Sequence, residues 1–282
     1  MKKIILSLFV IAFAFATNAQ IKTPQPSPFQ KTEQIVGLTD ITLEYSRPGV
    51  KGRTIFGDLV PYNEIWRTGA NANTKITFST DVTIDGNTVK KGTYTIFTIP
   101  TEKSWEVIIH EYKKSGTPKK LDETKVIAKV NVATQDIPMI IETFTITFDD
   151  MTNNSAVLGM MWENTYVGLK IETPTDVMVS EQIEATMSGT PSANDYSAAA
   201  AYYLSAGKDI KKAQTWIDKA VDMNADNPKF WILRRQALIH AKAGNKKRAI
   251  KAAKASLALA EKAGNKGYVK MNKASLKEWG AM

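Results

Sequence analysis

No cysteine occurs in this chain of 282 residues, and only two histidines do. The first absence excludes disulfides, thiolate metal sites, a cysteine nucleophile and a lipid-modified cysteine. The second leaves His110 and His240 far apart in the chain, with no metal-ligand spacing and no HExxH pattern around either. Both read as ordinary packing or surface residues. A nucleophile elbow and the common phosphate-cradling glycine loops are also missing, so no cofactor or metal is called for. Long apolar runs are scarce as well. After residue 16 nothing approaches the ~20 apolar residues of a membrane-spanning helix, and no transmembrane segment is expected.

What is present begins with an address. "MKKIILSLFVIAFAFATNAQ" places Lys2 and Lys3 before an uncharged run from Ile4 to Ala16, then small residues. A basic start, a short apolar stretch and a small-residue end describe a secretory signal peptide. The run is too short to serve comfortably as a membrane anchor. Cleavage after Ala19 would leave Gln20 first, in an exported, soluble protein of the periplasm or the extracellular space. Such a chain, without disulfides, must be held together by burial.

Within a first domain of residues 20–173, residues 38–171 alternate in the period of β-strands. Leu43 and Tyr45 flank Glu44, Ile76 and Phe78 flank Thr77, and Val82 and Ile84 flank Thr83. "GTYTIFTIP" carries bulk on both faces, which marks a central strand. "WEVIIH", "KVIAKVNV", "FTITF", "AVLGMMW" and "YVGLKI" continue the pattern, with turn chemistry at Asp85-Gly86-Asn87, Lys91-Gly92 and Asn153-Asn154-Ser155. About nine short strands without helical crossovers predict an antiparallel β-sandwich or barrel.

From residue 174 the period becomes helical, so the whole chain reads as an α+β multidomain protein: sandwich first, small α-helical domain second. Val179, Ile183 and Met187 are spaced by four, with Asp176 placed to cap that helix. Ala206-Gly207, Ala243-Gly244 and Ala263-Gly264 each close an apolar-periodic run. Asn227-Pro228 reads as an N-cap and first-turn pair for a helix carrying Trp231. Ile250, Ala253, Leu257 and Ala260 stripe the next helix, and Tyr268, Met271, Ser275 and Trp279 the last. "DIKKAQTWIDKAVDMNADNPKFW" resembles the tetratricopeptide repeat, with Ala213, Ala220 and Trp231 on that family's small and aromatic positions. It departs from the repeat in the spacing of Ala213 from Ala249 and in Ala225 at the usual turn proline. About two repeats rarely bury enough surface alone, so this half is expected to pack on the sandwich. It is also a surface through which a protein partner could bind.

One passage fits neither period. "RPGVKGRTIFGDLVPYNEIWRTGAN", residues 47–71, holds three arginines, four glycines, two prolines and a tryptophan. With "GTYTIFTIP", "WEVII" and "WEN", it resembles an exported bacterial family known as domain of unknown function 2911, over roughly residues 29–172. A helical tail commonly accompanies that family. "HEYKKSGTPKKLDETK" departs from its pattern, and the resemblance carries no catalytic residues. Two readings of the passage stay open. Arg47, Arg53 and Arg67 could be internal struts to Asp58, Glu64 and loop carbonyls. Alternatively the loop, taken as residues 47–73, is a binding lip for a glycan or anionic ligand: Arg47, Arg53 and Arg67 for the ligand's charge, Tyr62 or Trp66 for stacking, Asn71 and Asn73 for polar contacts. Function is thereby divided between a non-catalytic binding or interaction module and a hydrolase or glycan-binding protein. Paired carboxylates for glycoside hydrolysis would be Asp58 with Glu64, or Asp149-Asp150 with Glu163.

Charge is uneven. Residues 20–173 hold 17 Lys and Arg against 18 Asp and Glu, whereas residues 174–282 hold 18 against 10. Lys247, Lys251 and Lys254 share one helix face, which serves solubility or draws the protein to an anionic envelope surface or an acidic partner. Nucleic acid is not expected, because no recognition-helix pattern accompanies the charge. Mass spectrometry of the exported protein should find a chain beginning at Gln20; a mature chain retaining Met1 would end the signal-peptide reading.

Overall fold

The computed structural model describes residues 23–282, so the leader and its cleavage point lie outside the described residues. The chain divides after Asp176 into two compact units. Among the described residues the first contains ten strands, against about nine expected: β1 (Phe29–Val36), β2 (Thr39–Ser46), β3 (Ala70–Phe78), β4 (Val82–Ile84), β5 (Asn87–Val89), β6 (Gly92–Pro100), β7 (Ser104–Glu111), β8 (Val126–Ala133), β9 (Gln135–Asp149) and β10 (Ser155–Glu172). All pairings are antiparallel. A six-stranded sheet runs β1-β2-β3-β6-β7-β8 and a four-stranded sheet runs β5-β4-β10-β9.

The two sheets share one apolar core. Ile41, Leu43 and Tyr45 of β2, Ile76 and Phe78 of β3, and Trp105, Val107 and Ile109 of β7 are buried in one cluster with Phe144, Ile146, Leu158, Met160, Leu169 and Ile171 of β9 and β10. Alternate residues enter it because successive side chains of a strand point to opposite faces. Each fully buried aliphatic side chain contributes on the order of 1.5–3 kcal/mol. β6 lies inside its sheet, as its two bulky faces require: Ile96 joins the main core, and Phe97 packs with Ile108 and Leu121 in a second cluster on the opposite face. Leu121 belongs to the lysine-rich connection between β7 and β8. Between β4 and β5, Asp85 and Gly86 both have positive φ, 48° and 76°, as a two-residue type I′ hairpin demands.

Two features depart from the alternation. β1 is an edge strand whose outward Phe29 and Ile35 are 64% and 65% exposed, so little in its side chains announces a strand. β10 runs continuously through "WENTY", where two separate strands were expected. The pairing with β9 shifts on either side of Glu163, whose φ is 50°, and the extra β9 residues are accommodated as a bulge.

The second unit contains most of α1 (Thr175–Met187), then α2 (Ala193–Ser205), α3 (Ile210–Asp222), α4 (Phe230–Lys242), α5 (Lys246–Lys262) and α6 (Lys266–Glu278). From α2 onward each helix packs on its successor, and α2 also touches α4 as α4 touches α6, the arrangement of stacked helical hairpins. Ala213, Ile217 and Ala220 of α3 pack with Ala200, Ile232 and Ile239; Ala252 and Ala253 of α5 pack with Ala237 and Leu276. The alanine–glycine stops are present, with Gly207, Gly244 and Gly264 at φ 66°, 80° and 66°. Ser192 and Asp195 form a reciprocal capping box at the start of α2.

Several local expectations are corrected. Asp176 lies within the first turn of α1, which begins at Thr175. Lys229, not Asn227, precedes α4, because Asn227 closes a turn on the Asn224 carbonyl. Trp231 is 39% exposed, and α4 buries Ile232, Leu233, Ala237, Ile239 and His240 instead. On α6 the inward residues are Asn272, Ser275 and Leu276, while Met271 is outside. His240 is a packing residue tied by its ring nitrogens to Asp218 (2.8 Å) and Gln214 (3.1 Å).

Thr173 and Thr175 are buried, whereas Ser188, Gly189 and Thr190 are exposed beyond the end of α1. Limited proteolysis should therefore cut first within 188–190. First cleavage within 173–175 would contradict this arrangement.

Candidate functional site

The arginine-rich passage links β2 to β3 and behaves as part of the core. It first continues β2 along the edge of β9: the Val50 amide donates to the Glu142 carbonyl at 2.7 Å and the Phe144 amide to the Pro48 carbonyl at 2.8 Å. Beside this seam the Ile146 amide donates to the Tyr45 hydroxyl at 2.8 Å. Arg47 completes it, donating from Nε to the Phe144 carbonyl (3.0 Å), from Nη1 to Gln30 Oε1 (2.8 Å) and from Nη2 to Thr145 Oγ1 (2.6 Å). Arg47 thus joins one sheet to the other.

Beyond Gly49 the passage turns inward. Ile55 and Val60 are buried, and the Val60 amide donates to the Ile55 carbonyl. Gly57, at φ 88°, lies under Tyr62: a Cβ there would come within 3.0 Å of the ring. The chain then pairs with the end of β6, where Trp66 and Thr98 exchange amide–carbonyl bonds of 2.7 and 3.0 Å. Trp66 enters an aromatic cluster, stacked on Trp162 with centroids 5.8 Å apart and 17° between planes, and edge-on to Phe56, Trp105 and Phe144. Its indole N–H donates to the Gly69 carbonyl at 3.1 Å.

The return to β3 is strained. Thr68, fully buried, has φ 56°, an outlying conformation for a β-branched residue, and Asn71 has φ 57°. Gly69 has φ 148°, and a Cβ on it would meet the Ser46 carbonyl at 2.9 Å. Hydrogen bonds hold the turn: Thr68 Oγ1 to Thr98 Oγ1 at 3.1 Å and Thr74 Oγ1 to the Thr68 carbonyl at 2.5 Å. Backbone strain of this kind persists where the surroundings over-determine it, and it gathers at functional sites.

Against this turn lies an open cavity of about 390 Å³. Trp66, Trp162, Val60 and Ile65 supply apolar wall, and Arg53 and Arg67 border it together with Ser27 and Thr117. Its size falls in the range of small-molecule sites. Arg53 donates from Nε and Nη2 to the carbonyls of Val50 (3.0 Å) and Gly49 (2.6 Å). Arg67 donates from Nη1 to the Asn71 carbonyl at 2.5 Å. Among the described residues neither guanidinium has a carboxylate partner, and Arg53 Nη1 and Arg67 Nη2 keep unassigned donors.

The seven candidate residues therefore separate. Arg53, Trp66 and Arg67 line the cavity. Arg47 is a strut, bonded to carbonyl and side-chain oxygens and not to Asp58 or Glu64, which are exposed. Tyr62 lines a separate surface depression with Asn63 and Glu102. Asn71 and Asn73 lie on β3 and hold other segments: Asn71 Nδ2 donates to the Ser27 carbonyl (3.1 Å) and Asn73 Nδ2 to the Lys113 carbonyl (2.9 Å). Asn73 Oδ1 is buried with no partner among the described residues. Trp162 was missed. It stands in the quoted "WEN", but only the fold brings it beneath Trp66.

Asp149 and Glu163 do not converge. Asp149 pairs opposite Val157 and Glu163 opposite Ile141, so Asp149 and Glu163 are six β10 residues apart, roughly 20 Å along the strands. Glycoside hydrolysis needs about 5–9.5 Å. Asp149 accepts instead from Thr147 Oγ1 (2.8 Å) and the Tyr166 hydroxyl (3.2 Å). Burial, then the Asp149 charge, pushes the Tyr166 phenol up to about 12 and keeps it a neutral donor.

Fold and site together define a two-unit protein: an antiparallel sandwich whose end is closed by an arginine-rich loop, followed by helical hairpins. Residues 27–171 match the family described as Protein of unknown function (DUF2911), and the chain belongs to that family. No curated protein and no solved structure matches it.

Arg47→Ala should lower stability by about 2–3 kcal/mol, since three charge-assisted donors are lost and their acceptors stranded. Arg67→Ala should cost no more than about 0.5 kcal/mol, the range of surface positions. Urea denaturation of both variants checks this, and the reverse order would refute the division into strut and cavity arginine.

Proposed function

We propose that the protein is an exported, non-catalytic binding module whose sandwich takes a small ligand with an apolar body and an anionic head. The observation that carries this reading is the cavity at residues 53–70. Two guanidiniums without carboxylate partners border an indole-floored hollow, beside a turn kept in strained conformation. The apolar body would lie on Trp66, backed by the buried Trp162, and on Ile65, and the carboxylate or phosphate would accept from Arg53 and Arg67, with charge-assisted geometry that a planar fork suits. None of the described residues lining the cavity is Asp, Glu or His, so no acid–base pair faces a bound molecule. Binding is favoured over hydrolysis on that ground. The apolar run and basic start of residues 1–19 support export.

Titration calorimetry with indole-3-acetate and benzoate, set against their neutral amides and neutral oligosaccharides, tests the proposal. The acids should bind and the amides should not. Arg53→Ala and Arg67→Ala should each weaken binding at least about tenfold, ~1.4 kcal/mol, with melting unchanged. Preference for neutral oligosaccharides would assign the hollow to glycans, and equal binding of acids and amides would remove the arginines from the site.

A further inference from the structure

The charge excess of the helical unit has one source. Residues 174–245 hold eight Lys and Arg and eight Asp and Glu, a net of zero. Residues 246–282, which contain α5 and α6, hold ten Lys and Arg against Glu261 and Glu278 alone, a net of +8. The cations are ordered by helical period. On α5, Lys247, Lys251, Lys254 and Lys262 are exposed and stand opposite the buried Ala249, Ala252, Ala253, Ser256 and Ala260. On α6, Lys266, Lys270, Lys273 and Lys277 recur at intervals of four, three and four, an exposed stripe clear of the buried Asn272, Ser275 and Leu276. Lys273 Nζ lies 3.0 Å from Glu261 of α5, so the two basic rows meet at that ion pair.

Little in the fold neutralises them. Arg248 is paired with Asp218 at 3.1 Å and Lys273 with Glu261, and the other eight cations have no ion-pair partner among the described residues. Asp218 and Asp222 border a cavity with Arg248 and Lys251, which offsets the field at that edge only. Neighbours three or four apart on a helix lie within about 6 Å, inside the ~10 Å screening length at 0.1 M salt, so their fields add.

We infer that the α5–α6 face docks the protein on the surface of a phospholipid bilayer bearing anionic headgroups. Nine of the ten cations are lysine. Compact ammonium groups on flexible stems suit mobile headgroups without fixed geometry, whereas planar bidentate recognition of an ordered phosphate favours arginine. A protein partner would be expected to engage aromatic or arginine anchors. Here Trp279 is half-buried against the unit's core, Tyr268 is edge-on to Phe230, and Met271 is the large apolar side chain of α6 most exposed. The face therefore offers a summed field and few anchors. This inference does not depend on the cavity reading.

The test is cosedimentation of the full chain with phosphatidylcholine vesicles, with and without phosphatidylglycerol, between ~0.05 and ~0.5 M salt. Residues 4–16 would add a salt-independent component, so the salt-dependent part is the readout. It should appear only with phosphatidylglycerol and disappear at high salt. Lys247→Glu/Lys254→Glu/Lys262→Glu and Lys266→Glu/Lys270→Glu/Lys277→Glu should each reduce it at least tenfold with the helical circular dichroism unchanged, while the same sites changed to Arg should keep it. Undiminished partition of both glutamate variants, or salt-dependent binding to soluble polyglutamate but not to vesicles, would overturn the proposal.

Discussion

Everything in the sandwich unit depends on a seam in which the chain leaving β2 is bonded to β9. A two-sheet sandwich is open at its edges, and unpaired strand edges carry donors and acceptors that burial would strand. Pro48 and Val50 satisfy part of the β9 edge by backbone bonds, Tyr45 takes the Ile146 amide, and Arg47 takes the Phe144 carbonyl. A guanidinium serves here because it can offer several donors in a fixed plane while its charge stays partly solvated. Once that corner is fixed, the next residues can only pass across the end of the core, and Ile55, Phe56, Val60 and Trp66 fill it.

The cavity is a consequence of that closure. A loop that buries its apolar side chains must return to the sheet in few residues, and the return is made through Thr68, Gly69 and Asn71 at positive φ. Strain there is held by the two threonine hydroxyl bonds, so the turn is a rigid wall. Arg53 and Arg67, directed to carbonyls at one side of their guanidiniums, are left with donors beside an indole surface. Preformed hollows with a few convergent polar groups on an apolar floor are the usual form of ligand sites.

Much of this was legible in the residues. The period of two identified the sandwich, the bulk on both faces of β6 identified its interior position, and Asp85-Gly86 identified a hairpin turn. The alanine–glycine pairs marked three helix ends. Other features were not, for reasons that are physical. β1 mixes Lys31 and Glu33 with Phe29 and Ile35 on its exposed face and carries Gln30, Thr32 and Gln34 on the other, so burial leaves no apolar stripe to read. The polar "EN" of β10 suggested a break, although a bulge carries the strand through it. Arg47 finds two of its three acceptors on β9, about a hundred positions later in the chain, and no local pattern distinguishes it from Arg53 or Arg67. Trp66 read as a stacking platform, and the structure makes it wall and core at once.

The central claim is that residues 47–69 belong to the sandwich core. Native-state hydrogen exchange at the amides of Val50, Val60 and Trp66 tests it most directly, because those N–H groups are the bonds that hold the passage to β9, to itself and to β6. They should exchange as slowly as the β3 and β6 amides of Ile76 and Ile96, in one cooperative opening with the core. Exchange at the rate of an exposed loop, while Ile76 and Ile96 remain protected, would show the passage to be a detachable flap and contradict the account.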